Sequence, residues 1–305
     1  MQDRRKLCVV TGANKGIGYE TALTLGLAGW EVVLACRSFA RGNQAVMSLN
    51  SIFRQLDPGS GRQGLAVFME LDLSSLASIK AFIEGFKKRY QGCDALICNA
   101  GVMGGPYTLT AEGFELQFGV NYLGHAALFA QLLPFLRKST DARVVQVSSR
   151  AHERATLQPG EFLQLARRSQ DTYKAWPAYC QSKLLQVFFT REAQEVLGSS
   201  TLRFYATHPG VIPTDLLLSP LPPFLRLALQ PLGIFLSKVG LLTTPKEGSD
   251  TSTYLVLTNP APPAGTYWAA KKERAPHSLV ENSSLRKEVW QSTWELLANF
   301  GIQMA

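Results

Sequence analysis

The sequence predicts a single α/β domain built on a parallel sheet with helices on both faces. Through the first two-thirds of the 305 residues, short apolar runs of strand length alternate with longer segments of helical periodicity. Nearly continuous apolar strands are buried on both faces, which is typical of parallel sheets. Right-handed crossovers between such strands produce the doubly wound, Rossmann-type arrangement. No repeat and no Ser/Gly linker divides the sequence, so we expect residues 1–305 to form one domain.

The predicted elements follow in a regular order. Each strand is a short apolar run, and the six runs lie at 6–12, 31–37, 64–73, 94–101, 142–149 and 202–210. The intervening helices repeat apolar residues every three to four positions, and they cover 17–30, 40–53, 76–90, about 114–137 and the segment around Tyr179. A polar insertion at 151–176 and an apolar segment with several prolines at about 214–245 interrupt this order. Both follow the carboxyl end of a strand, where open α/β sheets bind ligands.

The composition indicates a globular protein of a reducing compartment. Hydrophobic residues make up 46% and charged residues 18% of the chain, which supports a substantial core. No apolar run is long enough to predict a spanning helix. The opening "MQDRRKLCVV" is too short for a signal peptide and predicts a first strand instead. The five cysteines have no metal-ligand spacing, so we expect reduced thiols, no metal site and a cytoplasmic location, either free or peripheral to a membrane.

The net charge of +8 narrows the class of partner. The basic residues are scattered and no DNA- or RNA-binding module occurs, so a nucleic acid is not an expected partner. Positive charge instead favours a phosphorylated cofactor or an acidic membrane surface.

A glycine-rich turn, "TGANKGIG", follows the first predicted strand. Backbone N–H groups at a helix start bind a pyrophosphate well, and glycines allow close approach and positive φ. The spacing of Gly12, Gly16 and Gly18 is G-x-x-x-G-x-G, which differs from the widespread G-x-G-x-x-G fingerprint. The turn therefore indicates a dinucleotide site of a less common pattern.

A second candidate site is "AYCQSK", in which Tyr179 and Lys183 are four residues apart on a predicted helix. Residues at this spacing share one helix face, so the phenol and the ammonium point into the same space. The pair alone does not separate a catalytic acid from a surface contact.

Six motifs together make the sequence resemble the short-chain dehydrogenases/reductases. They are "TGANKGIG", "CNAG" (98–101), Asn121 in "NYLGH", "VSS" (147–149), "YCQSK" and "HPG" (208–210), in the family's order and approximate spacing over about residues 6–270. The residues in and around these motifs are most similar to those of the retinol-dehydrogenase and WW-domain-oxidoreductase branch of the family. Two departures are "CNAG" where "NNAG" is common, and an N-terminus expected to lack the membrane anchor of many retinol dehydrogenases.

The resemblance implies a catalytic group. Tyr179 would be the acid/base residue, with its pKa lowered from about 10 by the Lys183 ammonium and the nicotinamide. Lys183 would also bond the nicotinamide ribose, and Ser149 would bond the substrate oxygen. Strand alternation leaves Ser148 as a rival for that last role, with the second serine preferred by family position. Asn121 would hold a water that relays protons, and His152 and His208 are assigned no catalytic role.

The cofactor predicted is NADP(H). Arg37 follows the second strand with no carboxylate nearby, and Lys15 is a second cation for a 2′-phosphate. By resemblance, Asp72 would meet the adenine, although it could serve only as a helix N-cap. With the residues that the resemblance implies, the full set expected to bind the cofactor is Gly12, Asn14, Lys15, Gly16, Ile17, Gly18, Arg37, Asp72, Leu73, Asn99, Ala100, Gly101, Tyr179, Lys183, Pro209, Val211 and Thr214.

The apolar segment at 216–242 bears on the substrate. As the family's substrate-covering region, it predicts a lipophilic carbonyl or alcohol such as a retinoid, a steroid or a fatty aldehyde. Two alternatives stay open: contact with a membrane surface through an amphipathic stretch carrying Arg226 and Lys238, or packing on the core. For the protein as a whole, the alternatives to a carbonyl reductase are a non-enzymatic scaffold that keeps the fold and an NAD-dependent alcohol dehydrogenase.

Overall fold

The strands that the structure describes all belong to one sheet. A computed structural model of the protein describes residues 5–56, 63–210 and 243–304. Within these ranges the sheet has eight strands in the order β3-β2-β1-β4-β5-β6-β7-β8. The strands are β1 (Leu7–Thr11), β2 (Glu31–Cys36), β3 (Leu65–Glu70), β4 (Ala95–Cys98), β5 (Ala142–Val147), β6 (Leu202–His208), β7 (Thr266–Ala269) and β8 (Lys272–Arg274). Neighbouring strands run parallel except β7 and β8, which are antiparallel.

Helices connect most of the strands. In the described part of the chain they are α1 (Gly16–Leu27), α2 (Phe39–Leu56), α3 (Leu76–Arg89), α4 (Leu116–Phe118), α5 (Gly124–Leu136), α6 (Phe162–Ala166), α7 (Ala175–Leu197), α8 (Pro245–Leu257) and α9 (Ser283–Ala298). A π-helical turn at Gly119–Leu123 joins α4 to α5 without a break, and 3-10 turns lie at Arg150–Arg154 and Ser278–Glu281.

The helices pack on both faces of the sheet and create two cores. One core joins the sheet to α3, α5, α7 and α9, where Phe129, Phe189 and Phe204 are almost fully buried. The other joins the sheet to α1, α2 and α8 around Leu25 and Leu49. Apolar strands covered on both faces are the pattern on which the doubly wound prediction depends, and the prediction is confirmed.

The strand order places a crevice at the centre of the sheet. The chain moves outward from β1 to β2 and β3, and then returns to add β4 on the other side of β1. At such a switch point the loops after the two central strands separate and leave room for a ligand. The glycine turn follows β1, and the "CNAG" turn follows β4, so both predicted cofactor motifs border this crevice.

Several elements differ from the sequence-based expectations. Helices and strands after β6 were not predicted, and the antiparallel β8 makes the sheet only mostly parallel. The helix expected at 114–137 begins at Leu116 and contains the π turn. The polar insertion forms a 3-10 turn and α6, which buries Phe162 and Leu165. Of the apolar segment expected at 214–245, residues 214–242 lie outside the described residues.

Candidate active site

Tyr179 and Ser149 meet beyond the carboxyl end of β5. The N-terminal part of α7 carries Tyr179, whose side chain is only 4% exposed. The half-buried Ser149 side chain lies close enough to the phenol to lower its pKa, and Ser149 Oγ accepts a hydrogen bond of 3.2 Å from the Ala151 N–H. This hydrogen bond caps the 3-10 turn that follows the strand, so the local backbone fixes the position of the serine.

The two serines of the "VSS" motif have different partners. β5 ends at Val147, so both serines follow the strand, and strict alternation does not govern them. Ser148 is buried, and its hydroxyl donates a 2.8 Å bond to the Lys183 carbonyl on α7. Ser148 therefore bonds backbone, whereas Ser149 is the serine beside the phenol.

The surroundings of Tyr179 and Lys183 shift the pKa values of both side chains in opposite directions. Burial raises the pKa of Tyr179 to about 12, although the Ser149 hydrogen bond opposes the rise. Lys183 Nζ lies 5.8 Å from the Tyr179 ring centroid and donates to the Val147 carbonyl (2.9 Å) and to Gln186 Oε1 (3.0 Å). Burial lowers the pKa of Lys183 to about 7. In the chain itself, desolvation of the phenolate dominates and raises the phenol pKa, while the lowering expected beside a bound nicotinamide stays a prediction.

Asn121 lies in the π turn with its side chain fully bonded. Oδ1 accepts a 2.8 Å bond from Val102 N, and Nδ2 donates 2.9 Å bonds to Val102 O and Ser182 Oγ. A Cβ placed on Gly101 would lie 3.3 Å from Asn121 Oδ1 and 3.5 Å from Lys183 Nζ. Asn121 and Lys183 thus border the same turn, while the water relay stays a prediction.

The glycines of the first turn have the shape that a pyrophosphate requires. Gly12 has φ +67°, and a Cβ there would lie 3.0 Å from the Ala100 Cα. A Cβ on Gly18 would lie 2.6 Å from the Asn99 amide nitrogen. Gly16 has φ +59° and open space where a side chain would project. Gly12 and Gly18 thus allow the two turns to pack closely. The open space at Gly16 lets main chain approach an anion, so the residues present fit a bound dinucleotide.

Thr11 joins the two turns, a role that the sequence-based site did not include. Its hydroxyl accepts 2.9 Å bonds from the N–H groups of Asn99 and Ala100, and its carbonyl accepts a 2.8 Å bond from the Asn99 side chain. The sequence offers one signal for this role, a hydroxyl residue directly before the first glycine.

The two predicted phosphate cations, Arg37 and Lys15, are both exposed. Arg37 follows β2 directly and precedes α2. Arg41, one turn into α2, was not predicted, but its guanidinium opposes the burial that raises the pKa of the Cys36 thiol to about 11. That interaction places a further positive charge near the carboxyl end of β2, and its spacing of four residues from Arg37 is the available sequence signal.

The remaining residues predicted to bind the cofactor differ in burial and in bonding. Asp72 Oδ1 accepts bonds from Ser74 N (2.9 Å) and Ser74 Oγ (2.6 Å), whereas Ser75 caps α3. The alternative that Asp72 is only a helix cap is therefore wrong. Leu73 is buried and Pro209 is half-buried, while Asn14 and Ile17 lie half-buried in the glycine turn and at the start of α1. Val211 and Thr214 lie outside the described residues.

Aromatic side chains stand beside the phenol. The Trp176 side chain is 51% exposed, and its ring centroid lies 5.9 Å from that of Tyr179. The Tyr107 hydroxyl donates to the Arg168 carbonyl (2.6 Å), and the Tyr173 hydroxyl donates to the Gly105 carbonyl (3.3 Å). These bonds tie the loop after β4 to the insertion before α7.

The described ranges contain neither a metal-binding cluster nor a membrane-spanning helix. Within them, no cluster of three or more His, Cys, Asp or Glu side chains has a geometry suited to a metal ion. No helix in these ranges has the length and apolar character needed to cross a membrane.

Open α/β sheets bind dinucleotides in the crevice at the switch point of the strand order. In this protein the Tyr179 phenol and the Ser149 hydroxyl lie beside that crevice. This combination defines the class as a dinucleotide-dependent oxidoreductase. Comparison with known proteins agrees, because residues 6–158 match the family model for short chain dehydrogenases. The chain therefore belongs to the short-chain dehydrogenases, oxidoreductases that use a nicotinamide cofactor.

Similar proteins extend the match along the chain. Human retinol dehydrogenase 12 is 37% identical over 294 residues, which cover 96% of this chain and 86% of that protein. The bovine dehydrogenase/reductase SDR family member 13 is 38% identical over 291 residues, covering 92% and 72% of the two chains. A crystal structure of an uncharacterised protein from Mycobacterium paratuberculosis has a TM-score of 0.74 at 30% identity, covering 98% and 95%.

Proposed function

We propose that this protein uses NADPH to reduce a lipophilic aldehyde or ketone to an alcohol, with Tyr179 as the proton donor. The observation that carries the proposal is the buried Tyr179 phenol with the Ser149 side chain beside it at the carboxyl end of β5. When bound, NADPH supplies the hydride.

The protonation state of Tyr179 supports reduction. Because burial raises the pKa of the phenol to about 12, the side chain keeps its proton at neutral pH. A protonated phenol donates to the substrate oxygen as negative charge develops there. The Ser149 hydroxyl donates a second hydrogen bond to the same oxygen and stabilises that charge.

The residues that border the crevice suit the proposed cofactor. The glycine turn would hold the pyrophosphate on main-chain N–H groups, and Arg37 with Lys15 would hold the 2′-phosphate. Asp72 and Leu73 would lie at the adenine, and the turn of Asn99, Ala100 and Gly101 at a ribose. Lys183 would bond the nicotinamide ribose, Asn121 would hold the relay water, and Pro209, Val211 and Thr214 would contact the nicotinamide.

Two observations support a lipophilic substrate. Human retinol dehydrogenase 12, by its name, acts on retinol, and this chain is 37% identical to it. The half-exposed Trp176 indole also offers apolar surface beside the proton donor. The net charge of +8 and the leucine-rich sequence at 216–242 also support contact with the acidic surface of a membrane.

The experiment that tests the proposal is Tyr179→Phe, assayed with retinaldehyde, decanal and benzaldehyde by loss of NADPH absorbance. The substitution keeps the ring and removes the proton, so turnover should fall at least about a hundredfold while NADPH binding survives. Tyr173→Phe is the matched control, since that phenol bonds the Gly105 carbonyl and not the reacting centre. Near-full activity of Tyr179→Phe would refute the assignment.

A further inference from the structure

We propose that His152 is a positioning residue for Ser149, and that through it the segment around His277 holds the serine in its productive orientation. The proposal rests on the role of Ser149 in the proposed function. His152 lies three residues after Ser149, in the 3-10 turn that the serine caps.

The two ring nitrogens of His152 bond groups with fixed hydrogen-bonding roles. Nδ1 lies 2.7 Å from the Ser149 carbonyl oxygen, which only accepts, so Nδ1 carries the hydrogen. Nε2 lies 3.2 Å from the His277 backbone N–H, which only donates, so Nε2 is the acceptor. The ring is therefore held as one neutral tautomer, because protonation of Nε2 would oppose two N–H groups.

The surroundings of His152 enforce this neutral state. The side chain is 0% exposed, and its ring packs edge-on against Tyr267 with centroids 4.7 Å apart. Burial lowers the pKa of His152, and the nearby His277 also lowers it, whereas Glu153 and the bond to Ser149 oppose this. A buried neutral ring with both nitrogens bonded to main chain has no proton to exchange with a substrate. Its contribution is to fix the backbone of Ser149.

The segment that bonds His152 is itself anchored to the helix of the catalytic tyrosine. His277 Nδ1 accepts a 3.0 Å bond from Leu279 N and so caps the 3-10 turn at Ser278–Glu281. Arg286 on α9 donates to the Val280 carbonyl of that turn and pairs with Glu192 of α7 at 3.3 Å.

These contacts form a closed path from Ser149 through His152 and His277 to α7, which carries Tyr179. The path explains how the side chains of Ser149 and Tyr179, which belong to separate elements, keep a fixed position relative to each other. Without the ring, the Ser149 carbonyl would keep only the 3.0 Å bond from the His152 backbone N–H, and Ser149 would have more freedom to turn its hydroxyl away from the phenol. Small errors of position in a catalytic group lower turnover more than they lower cofactor binding.

The experiment tests the hydrogen bonds of His152 Nδ1 and Nε2 separately. In His152→Asn the side-chain amide replaces Nδ1 and keeps a donor to the Ser149 carbonyl, whereas in His152→Gln it replaces Nε2 and keeps only the acceptor for His277. His152→Phe keeps the ring that packs on Tyr267 and loses both bonds. Turnover of retinaldehyde with NADPH, expressed per NADPH-binding site so that misfolded protein does not count, should fall about tenfold in the Gln and Phe variants. The Asn variant should retain most of it, and KM for NADPH should stay within about twofold of the parent in all three.

A second comparison places the variants in a Ser149→Ala background. If His152 acts through the serine, His152→Gln should cost nothing further there, because residues that act as a unit are not additive. Equal effects of Asn and Gln, or the same loss with and without the serine, would overturn the proposal. A Ser149→Ala protein with full turnover would instead refute the role of Ser149 in the proposed function, which is a separate outcome.

Discussion

The Tyr179 phenol is subject to two opposing influences. Burial raises its pKa to about 12, and the hydrogen bond to Ser149 lowers it from a still higher value. In the proposed carbonyl reduction the protonated phenol would be the active form, and a raised pKa keeps that form present throughout the neutral range. For alcohol oxidation the phenolate is needed, so that rate should rise as the pH increases toward the phenol pKa. We therefore expect different pH optima for the two directions.

Ser149→Ala tests the contribution of the serine. It removes a donor to the substrate oxygen, so turnover should fall about a hundredfold. It also removes the bond that lowers the Tyr179 pKa, so the rise of retinol oxidation with NADP⁺ should shift to higher pH. Rates measured across the pH range check both effects. Ser148→Ala is the matched control: it loses only a bond to the Lys183 carbonyl, about 1 kcal/mol of stability, and should turn over normally. Reversed results would transfer the role to Ser148.

Arg37→Asp tests cofactor choice. The exposed guanidinium after β2 would attract the 2′-phosphate of NADPH, whereas a carboxylate would repel it and still accept bonds from the ribose of NADH. The ratio of kcat/KM with NADPH to that with NADH should drop at least about tenfold, since a charge-assisted bond contributes roughly 1.5–3 kcal/mol. Arg54→Asp makes the same charge change in the last turn of α2, about 20 Å farther along the helix, and should leave the ratio unaltered. An unchanged ratio in Arg37→Asp would move the assignment to Lys15.

At the scale of elements, the strands and helices that build the crevice were predictable from the sequence. Runs such as "LCVVT" and "EVVLAC" are apolar on both faces, and the fold buries them completely or nearly so. The π turn around Asn121 was not predictable, because almost every residue from Gly119 to Leu136 is buried, and no apolar stripe is present to reveal the additional residue. The tilt of Ser148 and Ser149 toward α7 also depends on where β5 ends, which sequence patterns locate only to within a few residues.

The C-terminal elements were missed for a different reason. β7 has four residues and β8 has three, too few to display a strand period. Their hairpin turns through Ala270 and Lys271, both with positive φ, where a glycine or asparagine would have given the usual sequence signal. The partners that hold this region, such as the His152 ring against Tyr267, lie far apart in the sequence. The site could be named from motifs, but its supports required the packed structure.

Arg286→Met tests the buried ion pair that connects α9 to α7. Arg286 and Glu192 are 4% and 3% exposed, and their side chains pair at 3.3 Å. Methionine keeps much of the apolar stem but leaves the Glu192 carboxylate buried without its cation, which should cost about 3–5 kcal/mol in the free energy of unfolding. Lys87→Met is the control: its pair with Glu84 is 51% and 64% exposed, so the loss should stay below about 1 kcal/mol. Urea unfolding measures both variants, and equal losses would contradict a buried, structural pair.

At the scale of the whole molecule, histidine burial links the fold to pH. Three of the four histidines, namely His125, His152 and His208, have pKa values lowered mainly by burial. His125 lies at the switch point itself: Nε2 is 2.9 Å from the Thr11 hydroxyl, and Nδ1 is 3.1 Å from the Asn121 carbonyl oxygen. The ring thus bridges β1 to the π turn across the sheet edge that forms the crevice.

His125→Asn tests this link through the pH dependence of stability. Burial lowers the pKa of His125 to about 4, and the nearby Lys183 charge acts in the same direction, whereas the bond to Asn121 opposes it. The folded state therefore needs the neutral ring, and the unfolded chain takes up a proton below its ordinary pKa of about 6.5. The stability due to the neutral ring is fully present above pH 6.5 and is lost as the pH falls toward 4, at up to about 1.4 kcal/mol per pH unit. The parent protein should lose free energy of unfolding more steeply than the variant across that window, while the two curves run parallel above pH 7. Equal slopes from pH 6.5 to 4 in urea titrations would show that His125 carries no such linkage.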